Sequence, residues 1–181
     1  GDQEFDIVKA IGCMTKYSEM VVEPKRIRYC LEKALYLAQH GRPGPCWLDI
    51  PLNVQGGYVD TDELEGFDPG ECEGELPPPI SGETVAAVLQ RVKEAKRPVF
   101  NVGNGVRISG GFDAFCRVVE KLGIPVVTGW NSIDAIYDAH PLYVGRAGIM
   151  GDRAGNFAVQ NSDLVLSIGS RLSIRQVGYN Y

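Results

Sequence analysis

The chain has 181 residues, 44% of them hydrophobic and 23% charged, with a formal net charge of −5. That balance fits a soluble globular protein of one domain or two small ones and excludes a disordered chain. With no Lys/Arg cluster and no apolar run near the roughly 20 residues of a bilayer span, it also argues against nucleic acid or a membrane as partner.

The N-terminal run Gly1 to Asp6 does not resemble a signal peptide, so a cytoplasmic location is expected. Cysteines at 13, 30, 46, 72 and 116 are odd in number and show no Cys-x-x-Cys spacing. They read as reduced thiols, not as a disulfide framework or a zinc site. The first clear element is a helix from Pro24 to His40, with Ile27, Cys30, Leu31, Ala34, Leu35 and Ala38 on one face and Lys25, Arg28, Glu32 and Gln39 on the other. Gly41 stops it, and Pro43 and Pro45 cannot continue it. Residues 46–50 read as a strand ended by Pro51. One helix and one strand are too little for residues 1–53 to form a stable domain by themselves.

Residues 54–80 are rich in Gly, Pro and acidic side chains and poor in apolar ones, which predicts an extended, solvated strap between two domains. From 81 onward helix and strand alternate. Ser81 caps a helix carrying Val85, Val88, Leu89 and Val92; a strand follows at 99–102. A helix with Phe112, Phe115, Cys116, Val119 and Leu122 leads to a strand at 124–128. A helix at 154–161 then precedes a strand at 164–168. Strands apolar on both faces and separated by helices predict an α/β fold: a doubly wound, Rossmann-like parallel sheet with right-handed crossovers. No internal repeat is visible.

The chemistry-bearing candidates are glycine-rich turns at the carboxyl ends of strands, where open sheets bind ligands. Gly103-Asn104-Gly105 follows the first strand of this part, and its backbone amides could face a phosphate. The dinucleotide fingerprint is incomplete, with Ile108 at the third glycine position and no acidic residue ending the next strand. Gly145 to Gly151 forms a second such loop with Arg146, Met150 and Arg153 near enough to approach a ligand. Gly169-Ser170-Arg171 ends the last strand, and Arg171 offers a fixed fork for a phosphate. The candidate cofactor-binding residues are thus Gly103, Asn104, Gly105, Gly148, Gly151 and Arg171. Against this stands the reading that the glycines only permit tight turns. His40, His140 and Asp49 read as structural, and no triad, metal cluster or P-loop can be assembled.

In order, the run Gly41-Arg-Pro-Gly-Pro-Cys-Trp-Leu-Asp-Ile-Pro-Leu-Asn53, then 98–105, 122–128, 145–151 and 163–171, resembles the thiamine-diphosphate-dependent enzymes of the acetolactate synthase type. The resemblance covers nearly the whole chain. It implies that residues 1–53 are the end of a pyrimidine-binding domain, 54–80 a linker, and 81–181 an incomplete central domain, so that the chain is a fragment. It implies thiamine diphosphate and magnesium in the intact parent, a 2-oxo acid substrate, a homodimer or homotetramer, and FAD or ADP at the central domain. Several positions depart from the family pattern. Asn104 stands for a glycine, Ile149 and Met150 for Met-His, and Ser173 and Ile174 for two aspartates of flavin-bearing members. The family's cofactor-activating glutamate and its Gly-Asp-Gly…Asn motif are not found in these 181 residues, so this chain alone is expected to be inactive. A nucleotide-binding module without catalysis and a structural spacer remain the alternatives.

Overall fold

The computed structural model describes residues 4–72 and 78–179, and the chain divides into two units, 1–78 and 79–181. In the first unit a short helix α1 (Ile7–Ile11) is capped by Asp6, whose carboxylate accepts from the Lys9 amide at 3.0 Å. It leads into β1 (Tyr17–Met20), then α2 (Ile27–Gln39), β2 (Cys46–Asp49) and α3 (Leu52–Gln55). β1 pairs with β2 in parallel, Tyr17 opposite Cys46 and Met20 opposite Asp49. Residues 4–53 therefore carry more than the single helix and strand expected. The sequence hid β1 because Tyr-Ser-Glu-Met has no alternation to mark it.

Helix α2 ends as read, with Gly41 at φ 62° just beyond its cap, but Pro24–Arg26, read as its first residues, form a 3-10 turn before it. The Lys16 ammonium also donates to the carbonyls of Leu37, His40 and Arg42 at 2.6, 2.7 and 3.0 Å, satisfying the open end of the helix. The buried face is a correction. Cys30 and Leu37 are buried, with Ile27 packed on the same small core as Val21 and Val54, whereas Leu31 and Leu35 are half or more exposed. A stripe through 27, 30, 34 and 37 is narrower than the face drawn from sequence, and 31 and 35 lie one step around the helix from it.

The acidic stretch is also less loose than expected. It includes the end of α3 and short 3-10 turns at Thr61–Glu63 and Pro69–Cys72, and residues 64–71 contact α2. The Phe67 ring packs edge-on to Tyr29 and tilted to Tyr36, and the Phe67 amide donates to Glu32 at 2.8 Å. Lys33 sits 5.2 to 5.6 Å from the ring centroids of Tyr29, Tyr17 and Phe67. One aromatic residue is enough to anchor a polar strap. Part of the predicted linker, residues 73–77, lies outside the described residues.

The second unit is an all-parallel sheet in the order β5-β4-β3-β6, with β3 (Pro98–Val102), β4 (Val126–Thr128), β5 (Tyr143–Arg146) and β6 (Leu164–Ile168). The chain steps outward from β3 to β5 and then returns to the other side of β3. That reversal is the topological switch of a doubly wound sheet. Helices α4 (Gly82–Glu94), α5 (Gly105–Ile108), α6 (Phe112–Leu122), α7 (Arg153–Asn161) and α8 (Ile174–Val177) connect or follow the strands. Ser81 caps α4 as predicted, its hydroxyl accepting from the Thr84 amide at 3.1 Å. Phe100 and Val102 meet Phe115 and Val119 of α6 on one face, and α7 packs on β5 and β4. Val99 and Val127 are buried on the opposite pleat. Of the predicted α4 face only Val92 touches the core; Val85, Val88 and Leu89 are exposed.

Strand β5 corrects the reading of 145–151 as one continuous loop, since Gly145 and Arg146 belong to it. The strand is short, a register irregularity interrupts its pairing, and Gly145 has φ 131°. Glycine at 155 lets α7 approach: a Cβ there would lie 2.3 Å from the Arg146 carbonyl oxygen. At the end of β4 the Thr128 hydroxyl is fully buried with no hydrogen-bond partner among the described residues. A buried unsatisfied hydroxyl costs about 1–3 kcal/mol, so Thr128→Val is expected to raise the unfolding free energy by about 1 kcal/mol in urea titration. A loss of stability would show instead that the hydroxyl is bonded in solution.

Candidate functional site

The switch point lies where β3 and β6 end side by side. Gly103 and Gly105 follow β3 and Gly169 follows β6. The Gly103 amide donates to the Ile168 carbonyl at 2.9 Å and the Gly105 amide to the Gly169 carbonyl at 2.8 Å. A Cβ at Gly103 would sit 2.3 Å from the Gly169 oxygen, and one at Gly105 2.6 Å from it. These glycines are required because two backbone turns touch, and the two amides that might have cradled a phosphate are already donated. Asn104 has φ −64°, so the left-handed tolerance of asparagine is not used there.

Next to this turn a cavity of about 400 Å³ opens at the carboxyl edge of the sheet. Trp130 and Asn131 enter it from the segment after β4, Arg146, Ala147 and Met150 from β5 and its loop, and Arg171 and residues 173–176 from the segment after β6. Of the six residues singled out from sequence, only Arg171 lines this space. Gly148 and Gly151 are not among its lining residues but belong to the loop that brings Ala147 and Met150 to it. The Gly148 amide donates to the Asn156 side chain at 2.8 Å, and the Asn156 amide group donates back to the Gly148 carbonyl at 3.1 Å. Gly148 has φ 108°, and a Cβ there would meet the Arg175 carbonyl oxygen at 2.6 Å; one at Gly151 would meet the Arg146 oxygen at 2.4 Å. Glycine lets the 147–151 loop lie directly on α8.

The charge distribution decides what this cavity can hold. Arg146 is spent on Asp152, its Nε and Nη2 donating to the two carboxylate oxygens at 3.1 and 3.0 Å while its backbone amide adds a third bond at 2.9 Å. Those bonds hold the Asp152 carboxyl below its ordinary pKa, so the pair persists from neutral pH down through the usual carboxylate range and is lost only below it. Arg171 and Arg175 have no ion-pair partner among the described residues. Two arginines without an ion-pair partner among the described residues thus line a space whose other walls include Trp130, Met150 and Ile174, each more than 40% exposed. Cations beside an aromatic face suit a planar ring that carries an anionic chain. Trp130, which reads from sequence as a core or interface aromatic, is 63% exposed and lines the cavity, and Arg175 was not singled out from sequence. The Arg171-x-x-x-Arg175 spacing was the available signal for Arg175.

Other candidates sit elsewhere. The His140 ring is held between Glu120 at 2.8 Å and the Leu142 amide at 3.1 Å, and His40 stacks on Tyr36. Asp49 engages through its backbone carbonyl, which accepts from Val21 at 2.8 Å. Arg153 lies over Phe157 instead of in the cavity. Among the described residues no grouping of three His, Cys, Asp or Glu could hold a metal ion, and no helix is long and apolar enough to cross a membrane.

Residues 85–181 match the family described as thiamine pyrophosphate enzyme, central domain. Over 98% of its length the chain is 34% identical to a probable acetolactate synthase large subunit of Methanocaldococcus jannaschii, covering 31% of that protein. It is 36% identical to the acetolactate synthase large subunit of Corynebacterium glutamicum, with 97% of this chain and 28% of the relative aligned. Acetolactate synthase 2, chloroplastic, of Zea mays is 35% identical over 97% of this chain and 27% of its own. The chain therefore spans roughly three-tenths of the length of these relatives.

Proposed function

The chain belongs to the thiamine pyrophosphate enzyme family, and from that premise we propose that it is part of an acetolactate-synthase-like decarboxylase or carboligase acting on a 2-oxo acid. Residues 81–181 serve as its central domain, residues 1–53 contribute to a pyrimidine-binding domain, and the segment between them is the strap. The central domain's task in this reading is to hold a nucleoside diphosphate, as ADP or as the ADP half of FAD. The observation that carries it is the pair Arg171 and Arg175, without carboxylate partners among the described residues, beside Trp130 and Met150 at the carboxyl edge of the sheet.

The magnesium that accompanies thiamine diphosphate does not fit the described cavity residues. Magnesium asks for oxygen ligands, and the described residues that line the cavity include three arginines and no carboxylate, while Asp152, next to the lining in sequence, is paired to Arg146. No step of thiamine chemistry is therefore drawn through this chain's residues. Accordingly, the 181-residue chain incubated with pyruvate, thiamine diphosphate and Mg²⁺ is expected to release no carbon dioxide above the protein-free blank. Measurable turnover would contradict this.

Exposed Leu31 and Leu35 in the first unit and Val85, Val88 and Leu89 in the second support self-association, as a homodimer or homotetramer of the parent. A cytoplasmic location belongs to the same proposal. A spacer role is the second reading, favoured by the Gly103 and Gly105 amides being consumed in turn-to-turn bonds. Melting curves with ADP separate the two. A ligand at 100 times its dissociation constant adds about 2.7 kcal/mol, and an unchanged midpoint favours the spacer.

A further inference from the structure

Asn101 is a polar residue where the sheet needs none. It lies in the central strand β3, 3% exposed, and does not line the cavity. Its amide nitrogen donates to the Ser167 hydroxyl at 3.1 Å, and its oxygen accepts from the Gln176 side chain at 2.6 Å. The Gln176 oxygen in turn accepts from the Ser170 hydroxyl at 3.1 Å, and that same hydroxyl oxygen accepts from the Leu172 amide at 3.2 Å. One directional chain of hydrogen bonds thus runs from the turn after β6, through α8, to the middle of the sheet.

The turn that this chain holds is a strained one. Leu172, next to Arg171, is the one non-glycine residue among those described with positive φ, at 50°. Nothing in a leucine side chain favours that conformation, so surrounding contacts must impose it. Gln176 is where those contacts converge. The 147–151 loop rests on its backbone through Gly148, and a Cβ at Gly129, after β4, would lie 3.6 Å from its amide nitrogen. The neighbouring Arg175 carbonyl accepts from the Ile149 amide at 2.9 Å. All three strand-end segments that wall the cavity therefore meet at the residue tied to Asn101.

We infer that Asn101 is a positioning residue for the cavity, acting through Gln176 to fix the turn that presents Arg171 and Arg175. A polar side chain buried in β3 is otherwise a liability, since an apolar one would pack there at no hydrogen-bonding cost. The inference deepens the nucleotide reading and rests on it for its ligand. Its structural half stands on the hydrogen-bond chain alone.

The test is calorimetric titration of the 181-residue chain with ADP, paired with amide hydrogen exchange. Asn101→Leu and Gln176→Met are each expected to raise the Kd for ADP about tenfold, and the double variant to raise it no further than the weaker single. The amides of Ile149, Val177 and Gly178 should exchange faster in each. Phe115→Leu, which loosens the opposite face of the sheet, is expected to lower stability and leave both readouts unchanged. Ser170→Ala breaks the chain at its solvent end without touching the core, and is expected to raise Kd about threefold even where the buried variants do not fold. A wild-type Kd in any folded member of the Asn101, Gln176 and Ser170 set overturns the inference. If the wild-type chain ignores ADP, the nucleotide reading fails by itself, and unchanged exchange in Ser170→Ala and Gln176→Met then removes the positioning role as well.

Discussion

Gly103→Ala is expected to lower the unfolding free energy of the second unit by about 3 kcal/mol or more, an effect at the top of the range for overpacking. The added methyl would stand 2.3 Å from the Gly169 carbonyl oxygen and 2.6 Å from the Ser170 Cα, and both are backbone atoms. A flexible side chain could swing aside; a turn hydrogen-bonded at Gly103 to Ile168 and at Gly105 to Gly169 cannot do so without breaking the junction of β3 and β6. Gly82→Ala provides the contrast. A Cβ at Gly82 meets nothing within 4 Å, and alanine favours the first turn of α4, so stability should hold or rise slightly. Urea titration of the two variants measures the difference. Equal midpoints would mean that the turns do not touch as described.

Replacing Arg171 and Arg175 together by alanine should weaken ADP binding about a hundredfold, with each single change contributing about tenfold. Both guanidinium groups lie at the cavity without an ion-pair partner among the described residues, so their removal breaks no internal pair and the fold should survive. Binding to the unchanged protein should also weaken with added salt, because the charges are open to solvent. Arg146→Ala is different in kind. It leaves Asp152 without the guanidinium that donates two of its three hydrogen bonds from Arg146, only the backbone amide bond remaining, and is expected to disturb the β5 loop before it disturbs the ligand.

Strong periodicity carried the second unit. Strands such as Pro98–Val102 and Leu164–Ile168 are apolar runs interrupted only by Asn101 and Ser167 and set between amphipathic helices, and their parallel order follows from that alternation. Short elements did not announce themselves. Tyr17–Met20 and Tyr143–Arg146 are four-residue strands whose partners, not whose own residues, make them strands. The exposed Leu31 and Leu35 show the limit of a helical wheel: periodicity marks an apolar side, and only the packing partner selects which stripe of it is buried.

At the site, Arg171 was legible because a cation at the carboxyl end of a parallel strand has few structural uses. The glycines were legible as special positions but ambiguous in purpose. Close approach to backbone and close approach to a phosphate demand the same missing side chain, and the Gly103–Gly169 contact resolves the first pair toward backbone. Asn101 and Gln176 could not be paired from sequence, since 75 residues separate them and neither belongs to a motif.

The central claim, a nucleotide held at the carboxyl edge of the second unit, is tested most directly by mapping backbone amide chemical shifts as ADP is added to the ¹⁵N-labelled chain. The account predicts saturable shifts gathered at Trp130 and Asn131, at 146–150 and at 171–177, with residues 4–72 unmoved. Shifts scattered over both units, or none at millimolar ADP, would contradict it.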